Sequence, residues 1–265
     1  MLYLGNLKKI NIKMKKFLNF IFVAMINSVL AQNYEIIYDV KSISDTITRN
    51  VLTKEMTLYS TDKQQLFIAS STLQDNSEYL YEPLTTLRNS DQIKRFHFIN
   101  GNLYSVETKE PKHNWTITNE SKYIDEIKCQ AAITTYKGRT WKAWFSDQFP
   151  IFSGPYVFDN LPGLIVEIYD EKKHYHFTMK SINKRTIAYN IPKSLKVDQA
   201  KLNEQYINYY QNPYLRFKNM GMQTWTLEDG TQNNFVEQTK IIQERIRKNN
   251  NPIDLTDIIN YENYQ

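Results

Sequence analysis

From Tyr34 the chain alternates, with Tyr34, Ile36, Tyr38 and Val40 apolar and Glu35, Asp39 and Lys41 polar between them. A period of two sends successive side chains to opposite faces, so this stretch predicts a half-buried strand. Similar short runs follow at 51–59, 65–69, 95–99, 103–106, 115–118, 133–136 and 140–146, spaced by Asn, Asp, Gly and Lys. Asn100-Gly101 between two of them predicts a two-residue hairpin, because both central positions of a type I′ turn need positive φ. After residue 197 the period lengthens. Asp198 is placed to cap a helix running to about 211, with Leu202, Tyr206 and Tyr210 on one stripe. Phe235, Thr239, Ile242 and Ile246 recur at helical spacing and predict a second helix near 235–248, stopped by Asn249-Asn250-Asn251-Pro252. The expected fold class is mainly β (α+β): a strongly curved antiparallel sheet or half-barrel with one or two packed helices. The last helix is expected to lie on a sheet face.

One segment departs from simple alternation. Pro150, Pro155 and Pro162 fall close together with Gly154 and Gly163, so the segment cannot donate a full ladder of hydrogen bonds and must be a shaped crossing between strands. Leu161-Pro162-Gly163-Leu164 fits a type II turn, with Gly163 the least replaceable member. Downstream, a hairpin with its tip at Glu171-Lys172 pairs Ile168 with Tyr175, Val166 with Phe177 and Leu164 with Met179, all on one surface. Upstream, Trp141, Ala143 and Phe145 form a core face, with Trp144 on the outer one.

Cys129-Gln130-Ala131-Ala132, Tyr136-Lys137-Gly138-Arg139, Trp141 to Phe145, Pro150-Ile151, Gly154 to Phe158 and Leu161 to Ile165 together resemble the block that defines the GLPGLI family. The likeness is close over about 125–180 and looser elsewhere. It implies an exported Bacteroidetes protein without an established biochemical role, and it marks Asn160, Leu161, Pro162, Gly163, Leu164 and Ile165 as a structural turn. The first Gly of the name-giving motif is Asn160 here, and Asn is the next most tolerant residue of left-handed φ.

The amino-terminal end fits export. A basic stretch is followed by a mostly apolar run at 17–30 and small residues before Ala31, the make-up of a signal peptide over 1–31, with Met14 an alternative start. A single GLPGLI-type domain is expected over 32–265, periplasmic or extracellular, with no transmembrane anchor after processing. The five lysines before residue 31 account for the excess positive charge: 28 of the 33 basic residues remain, against 28 acidic ones. A balanced mature chain does not suit phosphate neutralisation, so nucleic acid is excluded as a partner. One cysteine, Cys129, allows no internal disulfide.

Candidate chemistry is sparse. His174 and His176 lie two apart on the predicted strand with Glu167 opposite, the nearest approach to a metal-ligand set. The same residues are routine on a solvent-facing hairpin tip, so no metal or other cofactor is assigned. Cys129 has no recognisable base nearby in sequence and reads as a structural thiol. No nucleophile elbow, zinc-protease or phosphate-loop motif occurs. The expectation is a non-enzymatic binding or carrier protein for an apolar or lipid-like molecule. Its rivals are an assembly partner of an outer-membrane complex, marked by an exposed Tyr and Trp patch, and a hydrolase of unrecognised type, marked by clustered ionisable groups in a cleft.

Overall fold

The computed structural model describes residues 33–71, 84–185, 191, 193–222, 224–226, 230 and 232–264. Residues 1–31, where the export segment is expected, lie outside the described residues. Eleven strands follow in chain order: β1 (Tyr34–Ser42), β2 (Leu52–Ser60), β3 (Gln65–Ala69), β4 (Thr86–Asn89), β5 (Gln92–Ile99), β6 (Asn102–Lys109), β7 (Thr116–Ile124), β8 (Ile127–Tyr136), β9 (Arg139–Ser146), β10 (Leu164–Asp170) and β11 (Tyr175–Lys184). A short β12 (Leu195–Lys196) precedes α1 (Gln199–Gln211) and α2 (Leu215–Asn219). A small ribbon of β13 (Thr224–Thr226) and β14 (Gln232–Asn234) leads into α3 (Phe235–Lys248), and the described chain ends in two single-turn 3₁₀ segments.

The first twelve strands form one open, curved sheet in the order β12-β6-β5-β4-β3-β2-β1-β11-β10-β9-β8-β7. Neighbours are antiparallel except β12, which runs parallel to β6. The curvature follows from chain length. Strands β6 and β7 are ten places apart in the sheet, about 48 Å if it were flat. The chain from Lys109 to Thr116 spans at most about 25 Å. The sheet must therefore roll, and Arg95 of β5 does hydrogen-bond Tyr136 of β8 across the trough.

The trough is filled by the crossing at 147–163. Tyr156, Val157, Phe158 and Leu161 are buried there, and Phe158 packs 4.6 Å from Trp141. Tyr38 of the central strand donates to the carbonyl of Ile165 at 2.7 Å. Tilted and edge-on ring contacts then run from Trp141 outward through Phe177 to Phe67 and back to Tyr38. These contacts make the concave face a core rather than an empty channel.

The hairpin turn at Asn100-Gly101 has φ of +48° and +83°, with Ile99 facing Asn102, as a two-residue type I′ loop requires. The β10–β11 register is two residues from expectation: Ile168 faces Phe177 and Tyr169 faces His176. The loop takes four residues because Asp170 closes it, accepting from Lys173 N through its carbonyl and from Tyr175 N through its carboxylate, both at 2.7 Å. An even slip keeps side-chain parity, so Leu164, Val166, Ile168, Tyr175, Phe177 and Met179 are all buried. Trp144 does project from the other face, yet it is buried under the ammonium groups of Lys122 and Lys142, 4.4 and 5.1 Å from its ring.

Asp198 caps α1 through Lys201 N, and Asn234 caps α3 through Glu237 N. Helix α1 rests on β5 and β6, but α3 packs on α1 rather than on the sheet. Gln243 donates to the carbonyl of Tyr210, and Arg247 to its hydroxyl. No helix among the described residues is long and apolar enough to cross a membrane.

Candidate functional site

On β5 the residues Ile93, Arg95, His97 and Ile99 share the concave face, so a guanidinium points where the alternation calls for an apolar group. Arg95 is buried and bonded through all three of its nitrogens. Its Nη1 donates to Thr108 Oγ1 at 3.0 Å, and its Nη2 donates to Glu110 Oε1 at 2.7 Å and to Tyr136 Oη. Its Nε reaches Tyr156 Oη at 3.2 Å and Asp254 Oδ2 at 3.3 Å. Two carboxylates, one from the end of the sheet and one from the carboxyl-terminal segment, therefore share one cation.

The two acids respond differently. Burial works to raise Glu110, but Arg95 and the Tyr136 hydroxyl outweigh it, and the carboxyl sits below its ordinary range. Burial also dominates at Asp254, where Arg95 opposes without prevailing, so that carboxyl is raised. Asp254 Oδ2 accepts from Tyr156, whereas Oδ1 is buried with no hydrogen-bond partner among the described residues. Tyr156 itself holds a φ of +59°, a costly conformation for a bulky residue, and its neighbours on every side fix it there.

Of these groups Arg95, Tyr156 and Asp254 line a half-open cleft of about 300 Å³ between the sheet, α1 and the carboxyl-terminal segment. Tyr156, Tyr175, Tyr206 and Tyr261 supply aromatic walls, and Leu84, Leu202, Ile253 and Ile259 apolar ones. His97 lines it too, hydrogen-bonded to Tyr206 at 3.0 Å and pushed down to about 4 by burial and then by Arg95. The segment that roofs it is pinned by Arg139, which donates to Ile253 O, Asn251 Oδ1 and Pro252 O at 2.9, 2.8 and 2.7 Å and pairs with Asp170. Tyr175 Oη adds a bond to Asn251 O.

A second, charged cleft of about 460 Å³ lies beyond Arg88, with Lys109, Lys112, Asp91 and Asp159 on its walls. Arg88 donates to Val157 O at 2.5 Å and pairs with Asp159 at 3.2 Å, tying the crossing to β4.

The turn residues behave as scaffold. Asn160 adopts φ +69°, and Leu161, Leu164 and Ile165 are buried. The turn is tighter than type II: Gly163 N–H donates to Leu161 O across Pro162 alone, and Gly163 has φ +148° where a type II turn has about +80°. A Cβ on Gly163 would lie 2.1 Å from Ser146 O, so the close approach of two backbones excludes any side chain. Tyr156, at the other end of the same crossing, does line the cleft, so the segment is not scaffold throughout.

Glu167 and His176 are brought together at 2.8 Å, with Lys122 on the other carboxylate oxygen. His174 sits in the loop, 3.4 Å from Arg139, because of the longer turn. Among the described residues no group of three or more His, Cys, Asp or Glu side chains is placed to hold a metal. Cys129 is buried, its thiol pushed up to about 11 by burial.

Sequence reasoning missed Arg95, His97 and Asp254. Arg95 left one signal, a charge on the apolar phase of a strand. Asp254 left none, because its partners Tyr156 and Arg95 lie far away in the chain.

Residues 107–167 match the model of a family described as "Protein of unknown function (Porph_ging)". No curated protein matches the chain. Among solved structures it is similar to PNGF-II in space group C2, with a TM-score of 0.52 and 16% identity, covering 66% of this chain and 32% of that one. It is likewise similar to PNGF-II in space group P21, with a TM-score of 0.52 and 15% identity, over 66% and 33% of the respective chains. The chain thus spans about a third of the length of those structures, and at such identity the likeness is one of fold. The chain carries a stretch similar to a family of unknown function within a sheet also found in a longer protein.

Proposed function

We propose that this is an exported, non-enzymatic binding protein of the GLPGLI type that holds one small ligand in the cleft beneath its carboxyl-terminal segment. The single observation that carries the reading is that cleft: half-open, about 300 Å³, walled by aromatic and apolar side chains, with a few polar groups converging at its floor. Its volume sits at the lower end of ligand sites, and the lining is of the kind such sites have. A carrier of long lipid chains fits less well, because the crossing fills the trough where such a chain would lie. Export is supported by the basic and apolar residues before Ala31, and the family reading by the match over 107–167 to a family of unknown function.

Native mass spectrometry of the protein purified from its own host tests this directly. The expected spectrum shows a retained small molecule on a chain beginning at Gln32. A bare chain under gentle conditions, together with no melting shift across a small-molecule library, would remove the reading.

Hydrolysis is the second reading, and one observation favours it: Asp254 is raised and His97 depressed in the same cleft. Turnover of ester, glycoside or amide substrates that is abolished by Asp254→Asn would establish it. The assembly reading has less support: among the tryptophans whose side chains are described, Trp141 and Trp144 are buried and Trp115 is half-buried, which leaves the exposed Tyr123 alone on its side.

A further inference from the structure

The tyrosines of the cleft have mostly spent their polar ends. Tyr156, Tyr175 and Tyr206 line it, and their hydroxyls are engaged with Asp254, with Asn251 O and with His97. What these three offer a ligand is therefore ring carbon, beside apolar Leu202 and Ile259.

Unspent polar atoms lie on the two flanking elements. On α1, Gln199 Nε2 donates to Asn203 Oδ1 at 2.9 Å, one helical turn along. That bond orients both amides and leaves Gln199 Oε1 and Asn203 Nδ2 without a partner among the described residues, so the pair keeps one acceptor and one donor. Turning both amides over exchanges the two roles and keeps the pair. On the carboxyl-terminal segment, Asn250 Nδ2 is tied to Ile259 O at 2.8 Å, which leaves Asn250 Oδ1 as an acceptor. Tyr261 Oη is likewise unpaired among the described residues and can play either role. All four residues line the cleft, and all four atoms keep solvent-accessible surface, unlike the sealed Asp254 Oδ1.

Open donors and acceptors in one site are best met by groups that do both. A hydroxyl donates one bond and accepts others, whereas an ammonium only donates and a carboxylate only accepts. We propose that the ligand is a pyranose sugar, its hydroxyls exchanging hydrogen bonds with Gln199, Asn203, Asn250 and Tyr261 and a carbon face of its ring lying on the tyrosines. This rests on the small-ligand reading above and names the chemical class. Asp257, half-buried in the same lining, adds a carboxylate to which a further hydroxyl donates. About 300 Å³ is small for a ligand site and suits one ring rather than a chain.

Probes built on one six-membered ring test it on the wild-type protein by NMR titration of the backbone amides at pH 7. The sugars are the methyl β-pyranosides of glucose, galactose, mannose and N-acetylglucosamine. Cyclohexanol, cyclohexanecarboxamide, cyclohexanecarboxylate and cyclohexylammonium carry a single polar group on the same body. At least one pyranoside should bind saturably and about tenfold or more tighter than any of the four congeners, since each added hydrogen bond is worth about threefold to tenfold. Its shifts should centre on residues 199–206 and 249–261. Asn203→Leu and Tyr261→Phe, which keep side-chain bulk, should each weaken that sugar by about threefold or more and leave cyclohexanol within about twofold. A congener that equals or outdoes every pyranoside would overturn the sugar assignment and leave the small-ligand reading standing. Sugar binding that ignores both variants, or that shifts amides elsewhere, would overturn it too. Should a variant not fold, the wild-type ranking and shift map still decide. Silence from every probe also refutes the sugar, whereas only the bare chain in native mass spectrometry, together with an empty library screen, removes the small-ligand reading as well.

Discussion

Replacing Gly163 by alanine isolates the claim that two backbones touch where the crossing meets β9. The added Cβ would meet Ser146 O at 2.1 Å, Ser146 C at 2.6 Å and Asp147 N at 2.9 Å, all main-chain atoms of a strand end that also pairs with Leu164. To restore ordinary contact the Ser146–Asp147 peptide must move by about 1 Å, and overpacking of this kind costs about 1–3 kcal/mol. A φ of +148° adds about 1–3 kcal/mol for any residue with a Cβ. Loss of chain freedom in the unfolded state returns about 0.4–1 kcal/mol. The net destabilisation is about 3 kcal/mol, or a fall in Tm of about 6–12 °C for a chain of this size. Gly221→Ala is the control, since Gly221 has φ +78° but nothing within 4 Å of its would-be Cβ. It should cost only about 1 kcal/mol. Urea unfolding of both variants with linear extrapolation reads the difference. Equal losses at the two glycines, or a Gly163→Ala protein melting within about 2 °C of wild type, would refute the close-approach argument.

Arg139→Met should cost about 3–5 kcal/mol, because Asp170 is left buried without its cation. The same variant should speed proteolysis near residues 250–255, and Arg139→Lys should not rescue it, since lysine lacks the fork that holds three acceptors. His113 is buried with neither ring nitrogen bonded among the described residues, and burial pushes it down to about 4. Folding favours its neutral form, so the associated stability is complete above about pH 6.5 and is lost as pH falls toward 4, by about 3 kcal/mol. His113→Phe, which keeps the stack on Tyr136, should remove its share of the pH dependence of urea stability over that window and leave that of His97, and an unchanged slope would contradict it. Asn160→Gly should change stability by less than about 1 kcal/mol, relief of φ +69° being offset by the lost bond to His113 O, whereas Asn160→Val should cost about 1–2 kcal/mol. Paired melting curves separate the two outcomes.

Local geometry was legible wherever neighbours in sequence decide it. Asn100-Gly101 requires its turn, and the alternation from Leu164 to Met179 fixed which side chains are buried even though the loop length was two residues off. Asp170 decided that length, by a side-chain bond the alternation does not encode. The cleft was not legible, for a physical reason. Arg95, Tyr136, Tyr156 and Asp254 meet only because the sheet rolls, and nothing in the spacing of four such common residues announces it. Trp144 looked solvent-facing for a similar cause, as the lysines that cover it come from two different strands.

The central seam of the sheet joins β1 to β11, strands that lie more than a hundred residues apart. Such non-local pairing is slow to form, because loop closure must be paid for before any bond repays it. Until β11 arrives, β1 offers Tyr38 and Val40 beside a row of open amide and carbonyl groups, a template for the same strand of another molecule. A chain stopped short of Tyr175 should therefore associate with itself rather than wait, so assembly depends on the whole ribbon being present before the sheet can shut.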